Sequence, residues 1–143
     1  MREKIVWHSI KLHEVIVDKV NCRRLGKLTE EAQPVVDFLL KGKTINTTEA
    51  YSYLTVKVSF PEEPKPFYLE LTVRGRFVTD KPGTRAKLKD FAENKTIVAL
   101  FPWVREAVAD FTRQMGFPPL YLPLINVEKT VQAGEESDQE EKE

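Results

Sequence analysis

Residues 99–119, ALFPWVREAVADFTRQMGFPP, decide how this chain is read, because they carry a helix pattern with two interruptions. From Ile97 the apolar residues Ile97, Phe101, Val104, Val108, Phe111 and Met115 recur at spacings of 4, 3, 4, 3 and 4, the narrow seam of a helix that packs along its whole length. Leu100 and Ala107 widen that stripe, while Arg105, Glu106, Asp110 and Arg113 cover the opposite side. Pro102 falls inside the seam, where it removes a backbone hydrogen bond and crowds the preceding turn at about 3 kcal/mol unless the helix starts or kinks there. Gly116 supplies the stop. The residues that follow, FPPLYLPLIN (117–126), set three prolines among apolar side chains, so they can neither extend the helix nor enter a sheet interior. An apolar loop is left over.

Upstream, the pattern changes to strands. TEAYSYLTVKVSF (48–60) puts Leu54, Val56, Val58 and Phe60 on one face and Tyr51, Tyr53, Thr55 and Lys57 on the other. FYLELTVRGRFVT (67–79) alternates again, with Phe67, Leu69, Leu71, Val73 and Phe77 inward and Glu70, Thr72, Arg74 and Arg76 outward. The two segments, joined by PEEPKP, predict an antiparallel hairpin. Gly75 at an inward position predicts a bulge or a close approach by another backbone. Residues 4–17 also read as a strand, with Val6, His8, Ile10 and Leu12 on one face; after His13 the apolar phase shifts to Val15 and Val17, which predicts a bulge or a stretch buried on both faces. RRLGKLTEEA breaks the pattern, and QPVVDFLLKGK (33–43) fits a short helix or a short strand equally well. TRAKLKDFAENK (84–95) reads as a polar lead-in to the long helix. A helix of ~20 residues is about 30 Å long, more than a four-stranded sheet of this size needs as cover, so part of the seam is expected to meet another subunit. Phe101, Val104, Val108, Phe111 and Met115 are the candidate interface residues.

The 143 residues are enough for one domain with one core. A chain that is 41% hydrophobic and 31% charged, with no apolar run near ~18 residues, is expected not to insert in a membrane. The N-terminal residues lack the apolar core and cleavage site of a signal peptide, and the single Cys22 has neither a disulfide partner nor a CxxC mate. The expected compartment is the cytoplasm. Twenty-two basic and 22 acidic residues balance, but the last ten, GEESDQEEKE, hold six acids and one lysine and so carry −5, leaving +5 on residues 1–133. The division expected is a single domain over 1–133 and a disordered acidic tail over 134–143.

LFPWVREAVADFTRQMGFPPLYLPLINVE resembles the most characteristic stretch of the SecB export chaperones. The resemblance is carried by Leu100, Phe101, Pro102, Trp103, Arg105, Glu106, Gly116, Phe117, Pro118, Leu120, Leu122 and Asn126. QPVVDFLL is similar to the Gln-Pro-x-Val that precedes the family's second strand. The resemblance implies an α+β fold: a four-stranded antiparallel sheet with one long helix packed on one face, residues 35–41 being a strand. It implies subunits paired through sheets and then helices into a dimer of dimers, and an apolar groove beside the loop that holds non-native polypeptides, either preproteins or an antitoxin. Groove walls expected on that basis are Trp103, Phe117, Tyr121, Tyr53 and Phe77, with Leu120, Leu122 and Ile125 as supporting apolar surface. Proline stiffness would keep such a loop extended and its apolar surface open, and an extended client is gripped through backbone bonds common to every sequence. The implied activity is that of an ATP-independent holdase without cofactor or metal.

Within the stretch the chain departs at Val104, at Pro123, one place early, and at Val127 in place of an aromatic, and two wider features depart from the family as well. Its well-known members are strongly acidic and pass clients to the SecA motor across an acidic sheet surface, whereas residues 1–133 carry +5, with Arg23, Arg24, Arg74 and Arg76 on or near the sheet. The second amphipathic helix expected after Asn126 has only Val127 and Val131 to build on, so it is expected to be short or absent. Other function classes fit less well. Lys57, Arg74 and Arg76 share a face with Tyr51 and Tyr53, as in single-strand binding surfaces, but net charge is zero and no nucleic-acid-binding signature is present. His8 and His13 are five apart on a strand and face opposite sides, and no GxSxG, HExxH or P-loop occurs. No enzymatic turnover is expected.

Overall fold

The computed structural model describes residues 10–80 and 85–123. Four strands come first in the chain, β1 (Ile10–Arg24), β2 (Val35–Thr44), β3 (Glu49–Ser59) and β4 (Phe67–Thr79), and two helices follow, α1 (Arg85–Asn94) and α2 (Ile97–Gln114). The strands form one antiparallel sheet in the order β1-β4-β3-β2. This is the expected α+β architecture, with residues 35–41 in a strand.

The two central strands show why the sheet has one core face. Along β3 and β4 every second residue is buried, and Leu54, Val56, Val58, Leu69, Leu71 and Val73 are at most 1% exposed. These meet Leu100, Val104 and Val108 of α2 in a single cluster. Phe rings extend the cluster at its ends, Phe38 with Phe101 at 5.9 Å and Phe60 with Phe67 at 5.1 Å. Gly75 lies in this layer because a Cβ there would come within 2.6 Å of a Leu100 methyl; a helix side chain, rather than another backbone, requires the glycine.

β1 and β2 are edge strands. The β1–β4 register skips His13 and Asp18, so the phase shift after His13 is a bulge, and a second bulge follows. Pairing continues to Arg24, well past Val17 and up to the break at RRLGKLTEEA. Val17 and Val20 fall opposite Val73 and Leu71 yet stay 45% and 43% exposed, because α2 does not cover this part of the edge. The strand positions Val6 and His8 lie outside the described residues.

The segment read as a polar lead-in is a helix of its own. α1 packs Leu88 and Ala92 against Ala50, and it docks nearly backbone to backbone on β2: a Cβ on Gly42 would lie 2.6–2.8 Å from backbone atoms of Ala92 and Glu93. Ser52 Oγ donates to the Ala92 carbonyl at 2.7 Å from within the sheet. Thr96, fully buried, separates the helices. Pro102 is therefore neither the start of α2 nor its end. It is exposed, and the turn it interrupts begins at exposed Val98, where water can reach the carbonyl that proline leaves without a donor.

The seam of α2 lies against this chain's own sheet. Phe101, Val104 and Val108 are 7%, 0% and 0% exposed, so these three interface candidates are core residues, packed in one cluster with the inward residues of β3 and β4. Phe111 and Met115 remain half-buried.

Candidate functional site

The loop after α2 begins in a fixed geometry. Gly116 adopts φ +89°; its amide donates to the Arg113 carbonyl (2.9 Å) and the Phe117 amide to the Thr112 carbonyl (3.1 Å), the bond pair that ends a helix through a left-handed glycine. Arg24, the last residue of β1, donates from Nη1 to the Met115 carbonyl (3.0 Å), and its guanidinium lies 5.0 Å from the centre of the Phe117 ring. A positive side chain thus meets the exposed carbonyls of the helix C-terminus, where it is favoured.

From there the loop runs back along α2 and is tied to it. The Leu120 amide donates to Thr112 Oγ1 (2.9 Å), and that buried hydroxyl donates in turn to the Val108 carbonyl (2.9 Å). Arg105 Nε donates to the Leu122 carbonyl (2.9 Å), with its guanidinium 5.5 Å from the Tyr121 ring centre. Phe117 and Leu122 are only 6% and 1% exposed. Apolar side chains of this size contribute about 1.5–3 kcal/mol each on leaving water, so they anchor the loop to the body.

This burial divides the expected groove residues. Trp103 and Tyr121 are 52% and 63% exposed. Phe77, Phe117 and Leu122 belong to the core, and Leu120 is half-buried against it. Prolines keep the loop out of regular structure without keeping its apolar side chains out of the core; Pro118, Pro119 and Pro123 take the exposed positions instead. Tyr53 pairs in register with Lys41 and Arg74 on the face away from the helices, so it shares no groove with Trp103. Ile125 lies outside the described residues.

An open depression of about 220 Å³ is lined by Phe101, Pro102, Arg105, Glu106 and Tyr121. Small-molecule sites usually begin near ~300 Å³, so this one suits an apolar side chain or two, with Arg105 and Glu106 among its lining. Pro102, Arg105 and Glu106, which the periodicity places in helix geometry or on the polar side of α2, line it as well; their place in the LFPWVRE stretch is the signal that could mark them.

The opposite face of the sheet carries no described helix or loop. Arg74 lies 4.8 Å from the Tyr51 ring centre and pairs with Glu14 (3.1 Å), and Arg76 pairs with Glu49. Tyr51 and Tyr53 contact edge to face at 6.5 Å. Tyr68 donates its hydroxyl to Glu70 (2.7 Å), a bond that holds its pKa above the ordinary phenol value. Lys41 and Lys43 sit in register with Tyr53 and Tyr51.

Comparison with known proteins places this architecture. The chain matches the family described as preprotein translocase subunit SecB over residues 11–137. An uncharacterised protein of Methanocaldococcus jannaschii, MJ0357, is 32% identical over 87 residues, which span 57% of this chain and 56% of that protein; the match therefore takes in little more than half of that relative. The fold is similar to that of the Mycobacterium tuberculosis SecB-like chaperone Rv1957, solved in complex with a ChAD peptide from the HigA1 antitoxin, with a TM-score of 0.68 at 14% identity over 82% of this chain and 91% of that one. With a family match across most of its length and the four-stranded sheet and long helix in place, the chain belongs to the SecB family.

Proposed function

We propose that this chain is an ATP-independent holdase that binds non-native polypeptide across the exposed end of α2 and the loop tied to it. The observation that carries the reading is that Tyr121 is more than half exposed at a depression it lines with Phe101 and Pro102, with a second aromatic of α2, Trp103, exposed as well, while the loop is bonded down through Leu120 and Leu122. An apolar depression rimmed by polar side chains fits an interaction site. An extended client would place an apolar side chain in the depression and run its backbone past the charged rim of Arg105 and Glu106.

Subunits are proposed to associate into a dimer of dimers in the cytoplasm. With Phe101, Val104 and Val108 in the core, the apolar surface for contact is the edge strand β1, where Ile16, Val17 and Val20 are exposed and an unpaired strand edge invites a partner. For the client, an antitoxin and an exported preprotein are the two readings. Basic character in residues 1–133 disfavours an acidic docking surface for SecA, and the similar fold solved with an antitoxin peptide favours the former. The test is suppression of aggregation of a refolding client by light scattering, together with mass in solution: a monomer without effect on aggregation refutes the proposal.

A further inference from the structure

The uncovered sheet face has a basic aromatic quadrant at the β2 side. Lys41 and Lys43 project beside Tyr53 and Tyr51, which in turn adjoin Arg74 and Arg76. Glu14 and Glu49 answer the two arginines, but Lys41 and Lys43 are exposed and form no ion pair with a described residue. The quadrant is left with an excess of two positive charges next to two tyrosine rings.

The sequence holds one segment complementary to it. Residues 134–143 carry −5. The described chain ends at Pro123, whose neighbour Leu122 is bonded to Arg105; Arg105 shares a depression with Phe101, and the Phe101 ring is 5.9 Å from Phe38 of β2. The exit therefore lies beside the same edge strand that carries Lys41 and Lys43 on its other face. From Phe38 to Lys43 is five residues, about 17 Å of strand at ~3.3 Å per residue, and residues 124–133 can span at most roughly 33–36 Å. That is enough to round the edge.

We propose that the acidic segment 134–143 docks on the Lys41–Lys43 quadrant of the sheet face of its own chain and competes there with any other acidic partner. Tethering makes this contact effective even when each ion pair is weak, because a segment ten residues away in the chain is held near its site at high effective concentration. The contact is electrostatic, so it is strong where the Debye length is about 30 Å (0.01 M salt) and lost where it is about 3 Å (1 M).

The test uses the isotope-labelled full-length chain and a full-length variant with a neutral tail, Glu135→Gln, Glu136→Gln, Asp138→Asn, Glu140→Gln, Glu141→Gln and Glu143→Gln. The amide resonances of residues 41–43 and 51–53 are expected to differ between the two at 0.01 M salt and to coincide at 1 M. A peptide of residues 134–143 added to the neutral-tail variant restores the shifts, and Lys41→Glu with Lys43→Glu abolishes them without changing the melting temperature of the chain. Identical spectra at low salt overturn the proposal. So do shifts confined to residues 101–106 and 117–123, or a quadrant that responds to single-stranded oligonucleotide but not to the acidic peptide.

Discussion

Gly116→Ala tests how the helix hands over to its loop. At φ +89° an L-residue meets its own carbonyl sterically, at about 1–2 kcal/mol. The added Cβ would lie 2.7 Å from Nη1 of Arg24, the atom bonded to the Met115 carbonyl. A flexible arginine tip can move, so the loss there is one exposed hydrogen bond, about 1 kcal/mol. Alanine restricts the unfolded chain and returns about 0.4–1 kcal/mol. The net destabilisation is about 1–2.5 kcal/mol, a fall in melting temperature of roughly 3–10 °C for a domain of this size. Urea unfolding of Gly116→Ala, Arg24→Ala and the double variant separates the two contributions: the double variant is expected to be more stable than the sum of the singles predicts, by about 0.5–1 kcal/mol, because the clash partner is gone. Gly116→Asn, which tolerates the left-handed region better, should lose less than Gly116→Ala. Equal stability of Gly116→Ala and the parent, or strict additivity with Arg24→Ala, refutes this geometry.

Other expected outcomes follow from the same contacts. Gly42→Ala forces Ala92 and Glu93 backbone atoms away from β2, and overpacking of this kind costs about 1–3 kcal/mol; thermal unfolding should show it, with amide exchange quickened in α1 more than in α2. Thr112→Val removes the acceptor for the Leu120 amide at nearly constant volume and should lower stability by about 1 kcal/mol while loosening residues 117–123, read as faster proteolysis of the loop. The raised pKa of Tyr68 has Glu70 as its main cause. A folded pKa above the unfolded one gives stability that is present below about pH 10 and lost as pH rises through the folded value; ultraviolet titration of Glu70→Gln should show one tyrosine ionising at lower pH than in the parent.

The sheet was legible because β3 and β4 are covered on one face along their length, so every second residue had to be apolar. Gly116 was legible for a similar local reason, since only its backbone geometry ends α2. β1 hid its extent, because an edge strand left partly uncovered at Val17 and Val20 is under no pressure to alternate strictly. α1 hid as well: it rests on Gly42, so Leu88, Phe91 and Ala92 suffice as its apolar face. The candidate site was half readable. Trp103 and Tyr121 stand exposed as the loop chemistry suggested, but Phe117 and Leu122 are anchors, and no local pattern distinguishes an anchor from a groove wall when Thr112 and Arg105 reach across from another element to fix the chain. Tyr53 lies on the face opposite Leu54, as the alternation of β3 has it, and so stands apart from the loop aromatics with which the resemblance grouped it.

The central claim is that Trp103 and Tyr121 form working surface. Light scattering of a refolding client in the presence of the parent chain and of the Trp103→Ala, Tyr121→Ser variant tests it, with both proteins matched for melting temperature and mass. Aromatic anchors of an interface contribute about 2 kcal/mol or more each, so the parent should suppress aggregation near stoichiometric amounts and the variant should need at least tenfold more. Suppression unchanged in a variant that folds and assembles normally would contradict the account.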